Sequence, residues 1–205
     1  MEKRYQVFIS STFQDLEGAR QEVSQALLRA DCFPAGMELF PAADEEQFAF
    51  IKQVIQQSDY YIIISAGRYG SIHPETGLSY TEMEYDYAVE IGKPVIRLLH
   101  KDPLNELTGD KIERSDEGRR KLEEFRQKLS RASLVKFWSS PHQLGLETAL
   151  AIFDCMKRYP ARGWIRPDTV SEADFHEISR REALIYRLKK EIEFLSRFTT
   201  QTLGY

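Results

Sequence analysis

The stretch Ser79–His100, SYTEMEYDYAVEIGKPVIRLLH, reads as a helix, a glycine stop and a buried strand. On a helical period Tyr80, Met83, Glu84, Tyr87, Ala88 and Ile91 share one face, while Glu82, Asp86 and Glu90 share the other. Gly92 ends the helix where a left-handed residue costs least, and Lys93-Pro94 launches Val95 to Leu99. One carboxylate, Glu84, therefore falls on the apolar stripe, where unpaired burial costs on the order of several kcal/mol. Two explanations stand open: Glu84 caps something, or it meets a ligand. Both Ser79-x-x-Glu82 and Thr81-x-x-Glu84 fit the S/T-x-x-E capping box. With Ser79 as the cap, Glu82 is used up and Glu84 is left to face a cleft at the end of a sheet.

Working outward, Asp59–Ser65 (DYYIIIS) is a run of β-branched and aromatic residues that demands burial on both faces, so it is an internal strand. Tyr5–Ser10 (YQVFIS) has the same character and forms the first, central strand. Thr12 and Asp15 after it have capping-box spacing before a helix with Leu16, Val23, Leu27 and Ala30 inward. Cys32–Phe40 is an irregular edge strand broken by Pro34 and Gly36. Glu45–Ser58 is a helix with the stripe Phe48, Ile51, Val54 and Ile55. Lys101–Arg114 reads as a mobile loop, and Ser115–Ala132 as a helix with Leu122, Phe125 and Leu129 inward. Leu134–Trp138 is the last strand. Gln143–Arg158 is the last helix of the domain, with Leu146, Leu150, Phe153 and Cys155 or Met156 inward. Strand and helix alternate five times, which calls for a five-stranded parallel α/β sheet with helices on both faces and a ligand crevice at the carboxyl ends of its strands.

Residues 1–158 thus make one domain and 159–177 a linker. Residues 178–198 form a C-terminal helix and 199–205 a tail. In that helix Ile178, Ile185 and Ile192 recur every seven residues, with Leu188 and Leu195 in the second core position and Arg181 interrupting it. A short coiled coil between copies and packing back on the domain are both open.

A chain of 205 residues accommodates one ordinary domain plus such an appendage. The net charge of −4 argues against a nucleic-acid surface. The N-terminus lacks an apolar signal region, and no run approaches the roughly 18 apolar residues of a membrane span, so a cytoplasmic protein without membrane partners is expected. Cys32 and Cys155 lack partnered spacing, and His73, His100, His142 and His176 lack ligand spacing, so neither a disulfide framework nor a metal site is expected.

Two loops border the expected crevice. Ser10, Ser11, Thr12 and Phe13 join a strand end to a helix N-terminus, a junction that suits a ribose or phosphate but equally serves only to cap and turn. Gly67, Arg68 and Tyr69 follow the internal strand Asp59–Ser65; the two glycines of that turn, Gly67 and Gly70, permit close backbone approach, and Arg68 either holds an anion or is a surface arginine. Glu38 either points at the same cleft or lies on its solvated rim.

The segments VFISSTFQDLEGAR (7–20), GMELF (36–40), DYYIIISAGRYGSI (59–72) and SYTEMEYDYAVEIGKPV (79–95), in that order, resemble a known set. They look like the TIR-like domain of unknown function that opens with VFISSTF and often fronts bacterial and eukaryotic nucleotide-binding oligomerisation proteins. The resemblance covers about residues 5–158. One departure is Ala19, where many relatives carry an acid before the arginine matched by Arg20. That family is similar in fold to TIR domains and nucleoside 2-deoxyribosyltransferases, which implies a TIR-like, flavodoxin-like domain. In both groups an essential glutamate lies on the helix after the third strand, four residues before a small residue and about eight before a glycine. Glu84, Ala88 and Gly92 occupy those places, so the resemblance implies that Glu84 is catalytic.

The implied activity is N-glycosidic cleavage of NAD⁺, a substrate rather than a resident cofactor, by an effector of bacterial innate immunity or antiphage defence. TIR-type enzymes commonly complete their site across a subunit contact, so the implied partners are a second copy or a fused sensor. In that reading Ser10 to Phe13 hold the nucleotide, Gly67, Arg68 and Tyr69 form the opposing wall, and Tyr80, Tyr87 or Trp138 either stacks on a base or is core. Two alternatives remain: a non-catalytic interaction or nucleotide-sensing module, and a nucleoside deoxyribosyltransferase-like enzyme.

Overall fold

The computed structural model describes residues 3–13, 15–36, 45–166 and 172–202. The chain divides into two compact units, Arg4–Trp164 and a second made of Met1–Lys3 with Ile165–Tyr205. The first runs β1 (Lys3–Ser10), α1 (Glu17–Arg29), β2 (Cys32–Gly36), α2 (Glu45–Gln57), β3 (Tyr60–Ser65) and α3 (Tyr80–Glu90). It continues through β4 (Val95–His100), α4 (Pro103–Glu106), α5 (Asp116–Ser130), β5 (Val135–Trp138) and α6 (Pro141–Arg158). The five strands pair in parallel in the order β2-β1-β3-β4-β5. This is the flavodoxin-like arrangement, whose switch point lies between β1 and β3.

Every residue of β3 and β4 is buried, because helices cover both faces of the sheet. On one side Val7, Ile9, Tyr60, Ile62 and Leu98 pack with Val23 and Leu27 of α1 and Leu144, Ala151 and Ile152 of α6. On the other, Phe8, Tyr61, Ile63 and Leu99 pack with Ile51 and Ile55 of α2, Tyr85 and Ala88 of α3, and Leu122, Phe125 and Leu129 of α5. The inward stripes expected for α1 and α5 are those observed. In α3 the buried set is Glu82, Glu84, Tyr85 and Ala88, a face rotated from the expected stripe, and Ile91 is exposed.

The stripe expected for α6 is overturned at Leu146, Leu150 and Phe153, while Cys155 is inward as expected. Leu146, Leu150 and Phe153 are exposed, and Leu144, Gly145, Thr148, Ala151, Ile152 and Cys155 face inward. Close approach of α1 selects the face with small residues: a methyl added at Gly145 would stand 3.3 Å from Glu22 Oε2. The loop expected over 101–114 instead contains α4 and a 3₁₀ turn at Gly109–Lys111. It is tied to the β3 end by the Glu113 N–H donating to the Gly67 carbonyl at 2.7 Å.

In the second unit α7 (Glu172–Thr202) begins earlier and ends later than expected, since no glycine or proline interrupts that span. Ile178, Ile185, Leu188 and Ile192 on it are exposed. Among the described residues no helix is long and apolar enough to cross a membrane.

Candidate functional site

At the carboxyl end of β1 the side chains alternate across the sheet. Ser10 faces α3 and donates a 2.5 Å hydrogen bond to Glu84 Oε2. On the α1 side the buried Arg20 guanidinium holds the same strand end: Nη1 donates to the Ile9 carbonyl at 3.3 Å and to Ser11 Oγ at 2.7 Å. Glu84 is 0% exposed, and its Oε1 has no hydrogen-bond partner among the described residues. Burial pushes its carboxyl up to about 7, against the opposing pulls of the Ser10 hydrogen bond and the Arg20 charge. The Tyr61 phenol adjoins this patch, also buried and partnerless at its hydroxyl. Burial first, then the Glu84 charge, hold it protonated well above its ordinary range.

Glu84 reaches this place because α3 starts where it does. Ser79 is the N-cap, its hydroxyl accepting from the Glu82 N–H at 3.1 Å. The Glu82 carboxylate does not return to the cap, as the capping box would have it. It accepts from the Tyr69 hydroxyl at 2.7 Å and from Lys128 Nζ at 3.0 Å, and Lys128 also pairs with Asp86 at 2.5 Å. Glu82 and Asp86 therefore bind α3 to α5, one face round from Glu84.

The remaining candidates separate. Thr12 lies against the loop after β3, because a methyl at Gly70 would stand 2.9 Å from Thr12 Cγ2 and 3.8 Å from Thr81 Oγ1. Phe13 is an exposed aromatic at the start of α1. Gly67 does allow close backbone approach, but by this chain's own Lys111, whose carbonyl would be 2.3 Å from an added methyl. Arg68 Nη1 donates to the Asp110 carbonyl at 3.3 Å. Tyr69 is buried, its ring edge-on to Phe125 and its hydroxyl spent on Glu82. Tyr80 is half-buried against His73 and Phe48. Trp138 is core, edge-on to His100 at 4.6 Å, and Tyr87 lies half-buried under Lys52. Glu38 lies outside the described residues.

Three further residues belong here. Tyr61 and Arg20 read as ordinary strand and helix positions, and only the fold brings them to Glu84. The third, Asp15, is 8% exposed with neither carboxylate oxygen partnered among the described residues. The capping box expected from Thr12 and Asp15 is not made, since α1 begins after Leu16 without a side-chain cap. A capping-spaced acid that does not cap was the available signal.

Fold and site together define a flavodoxin-like α/β domain with a buried glutamate at its switch point. A family model described as "Domain of unknown function (DUF4062)" matches residues 6–152, and the chain belongs to that family. No curated protein matches it in sequence. Among solved structures it is similar to the CMP N-glycosidase BcmB of Clostridium botulinum, at 15% identity and a TM-score of 0.43 over 72% of this chain and 98% of that one. It is also similar to the TIR domain heterodimer of RPS4 and RRS1, at 13% identity and a TM-score of 0.45 over 75% and 98%. A diflavin flavoprotein A3 from Nostoc sp. aligns at 10% identity and a TM-score of 0.43 over 77% and 97%.

Proposed function

We propose that this protein cleaves the N-glycosidic bond of NAD⁺, with Glu84 as the carboxylate beside the reacting ribose. The observation that supports this reading is the Oε1 of a fully buried glutamate at the switch-point end of β1, which has no partner among the described residues. Ser10 fixes Oε2 by its hydrogen bond, which leaves Oε1 to face the anomeric carbon. The C1′–N bond breaks with its electron pair going to the nicotinamide nitrogen, which is cationic beforehand and leaves neutral without an added proton. The carboxylate stabilises the ribosyl oxocarbenium ion, and water adds to C1′ and releases a proton, giving ADP-ribose. A neutral leaving base would need a proton donor as well. Glu82 and Asp86, the acids nearest Glu84 in sequence, are engaged with Lys128, which makes the deoxyribosyltransferase reading the weaker.

Glu84 has no accessible surface in the single chain, so turnover requires the loops over it to open. Assembly of several copies is the proposed trigger, with α7 supplying the contact, in the manner of a cytoplasmic defence effector that is silent until oligomerised. The same burial favours a second reading, a sensor that binds a nucleotide without cutting it.

Incubating NAD⁺ with concentrated protein and separating the products tests both. Wild type is expected to release nicotinamide, and Glu84→Gln to lose about 100-fold or more of that rate. Equal turnover by the variant would remove Glu84 from the mechanism. Nucleotide binding by wild type with no nicotinamide at any concentration would establish the sensor.

A further inference from the structure

A cleft of about 210 Å³ opens between the end of α3, at Val89 and Gly92, and the amino ends of β4 and β5, at Lys93, Arg97, Ser133 and Leu134, and no acidic side chain lines it among the described residues. Arg97 is 7% exposed. Its Nη1 donates to the Val95 carbonyl at 3.0 Å and the Ser133 carbonyl at 2.8 Å, while Nε and Nη2 both donate to the Tyr85 hydroxyl, at 3.2 and 3.1 Å. All three acceptors are neutral, and an arginine is seldom buried without an anion beside it. A guanidinium has five N–H donors, so one on Nη2 is left over. Half-buried Lys93 is in the same position: Nζ donates to the Gln56 and Ser58 carbonyls, which leaves its third N–H. Asp59, the acid in its electrostatic neighbourhood, accepts from the N–H groups of Gln6 and Gly163 at 3.0 and 3.1 Å.

We infer that this cleft binds a phosphoryl group between Arg97 and Lys93, at a site separate from the one around Glu84. The leftover groups are donors on two cations, so the ligand that completes them is an anion that accepts hydrogen bonds. A volume of about 210 Å³ lies below the roughly 300–1,000 Å³ of pockets for drug-sized ligands, which suits a small oxyanion and not a whole dinucleotide. Two cations with no acid between them match the charge of about −2 on a phosphoryl group better than the single charge of a carboxylate. The turn into β5 is strained where it meets the cleft: Leu134 has φ 58°, a left-handed backbone uncommon for a branched side chain. Through Arg97 the site reaches Tyr85, which follows Glu84 on α3. The nucleotide-cleaving reading is not needed for any of this.

Calorimetric titration of the full chain with inorganic phosphate and with methyl phosphate, using wild type, Lys93→Gln, Arg97→Lys and Lys101→Gln, tests the inference, with chloride at matched ionic strength as the control and thermal unfolding of each protein recorded alongside. Wild type is expected to bind phosphate with a Kd of about 1 mM or tighter, and chloride to give no binding heat. Lys93→Gln and Arg97→Lys are each expected to weaken phosphate binding about tenfold or more, the size of a hydrogen bond to a charged group. Lys101→Gln, which changes an exposed lysine outside the cleft, is expected to bind as wild type does. Because Arg97 also braces Tyr85 and Ser133, Lys93→Gln decides the matter if Arg97→Lys unfolds. Methyl phosphate bound as tightly as phosphate assigns the site to a phosphate ester, and binding of phosphate alone assigns it to the free ion. The inference is overturned if wild type does not bind phosphate, if chloride binds equally, or if Lys93→Gln binds phosphate as tightly as wild type. Nicotinamide release, present or absent, bears on Glu84 alone.

Discussion

Glu84 is held under opposing influences. Ser10 and Arg20 favour its charged form, burial opposes it, and burial wins, lifting the carboxyl to about 7. Because the folded-state value lies above the unfolded one, the folded chain holds a proton that the unfolded chain releases as pH rises between the two. The contribution of Glu84 to stability is therefore fully present below about pH 4.5 and is lost as pH climbs through about 7. The difference of the two values, 7 − 4.5, corresponds to a change on the order of 3 kcal/mol. Glu84→Gln is expected to flatten the fall in Tm across this window and to unfold at a higher temperature than wild type at pH 8. Parallel curves for the two proteins would show that Glu84 ionises freely in the folded chain. Asp15 repeats the theme, a buried acid that burial lifts above its ordinary range against the pulls of Thr12, Arg68 and Lys111.

At the scale of elements, α6 shows how packing chooses between two apolar faces. Leu146, Leu150 and Phe153 form as good a stripe as Leu144, Ala151 and Ile152, but only the second lies beside Gly145 and Thr148, whose small side chains admit α1. Ile152→Ala is expected to lower unfolding free energy in denaturant titrations by about 2–5 kcal/mol, and Leu150→Ser to change it by less than about 0.5 kcal/mol. The reverse order would mean that α6 is turned in solution. The segment from α4 to Glu113 illustrates the same competition. Its polar composition reads as a loop, yet the Gly67 carbonyl and the Tyr69 N–H fasten it to the end of β3 through Glu113.

At the scale of the molecule, the switch point between β1 and β3 brings Ser10 from the start of the chain to Glu84. The exposed row Ile178, Ile185 and Ile192 on α7 is what the proposed assembly would use, since a second copy offers the same row in the same heptad register. Sedimentation across a concentration series is expected to show mass rising for wild type and staying at one chain for Ile185→Asp. If the two proteins sediment alike at every concentration, α7 is not the assembling element.

The order of strands and helices was legible because runs such as DYYIIIS and VIRLL are apolar on both faces over most of their length, which calls for a doubly covered sheet. Glu84 was legible as an acid on an apolar stripe, and Gly92 as the stop after it, taking the left-handed backbone, φ 71°, that such a stop requires. What the chain's order of residues alone left open was every pairing between distant segments. Ser10 with Glu84, Arg20 with the strand end and Lys128 with Glu82 and Asp86 join positions that periodicity treats separately. Periodicity reports which residues share a face. Only the tertiary structure, through close approach of neighbouring helices and the register of parallel strands, decided which face was covered and which buried polar atoms lacked a partner.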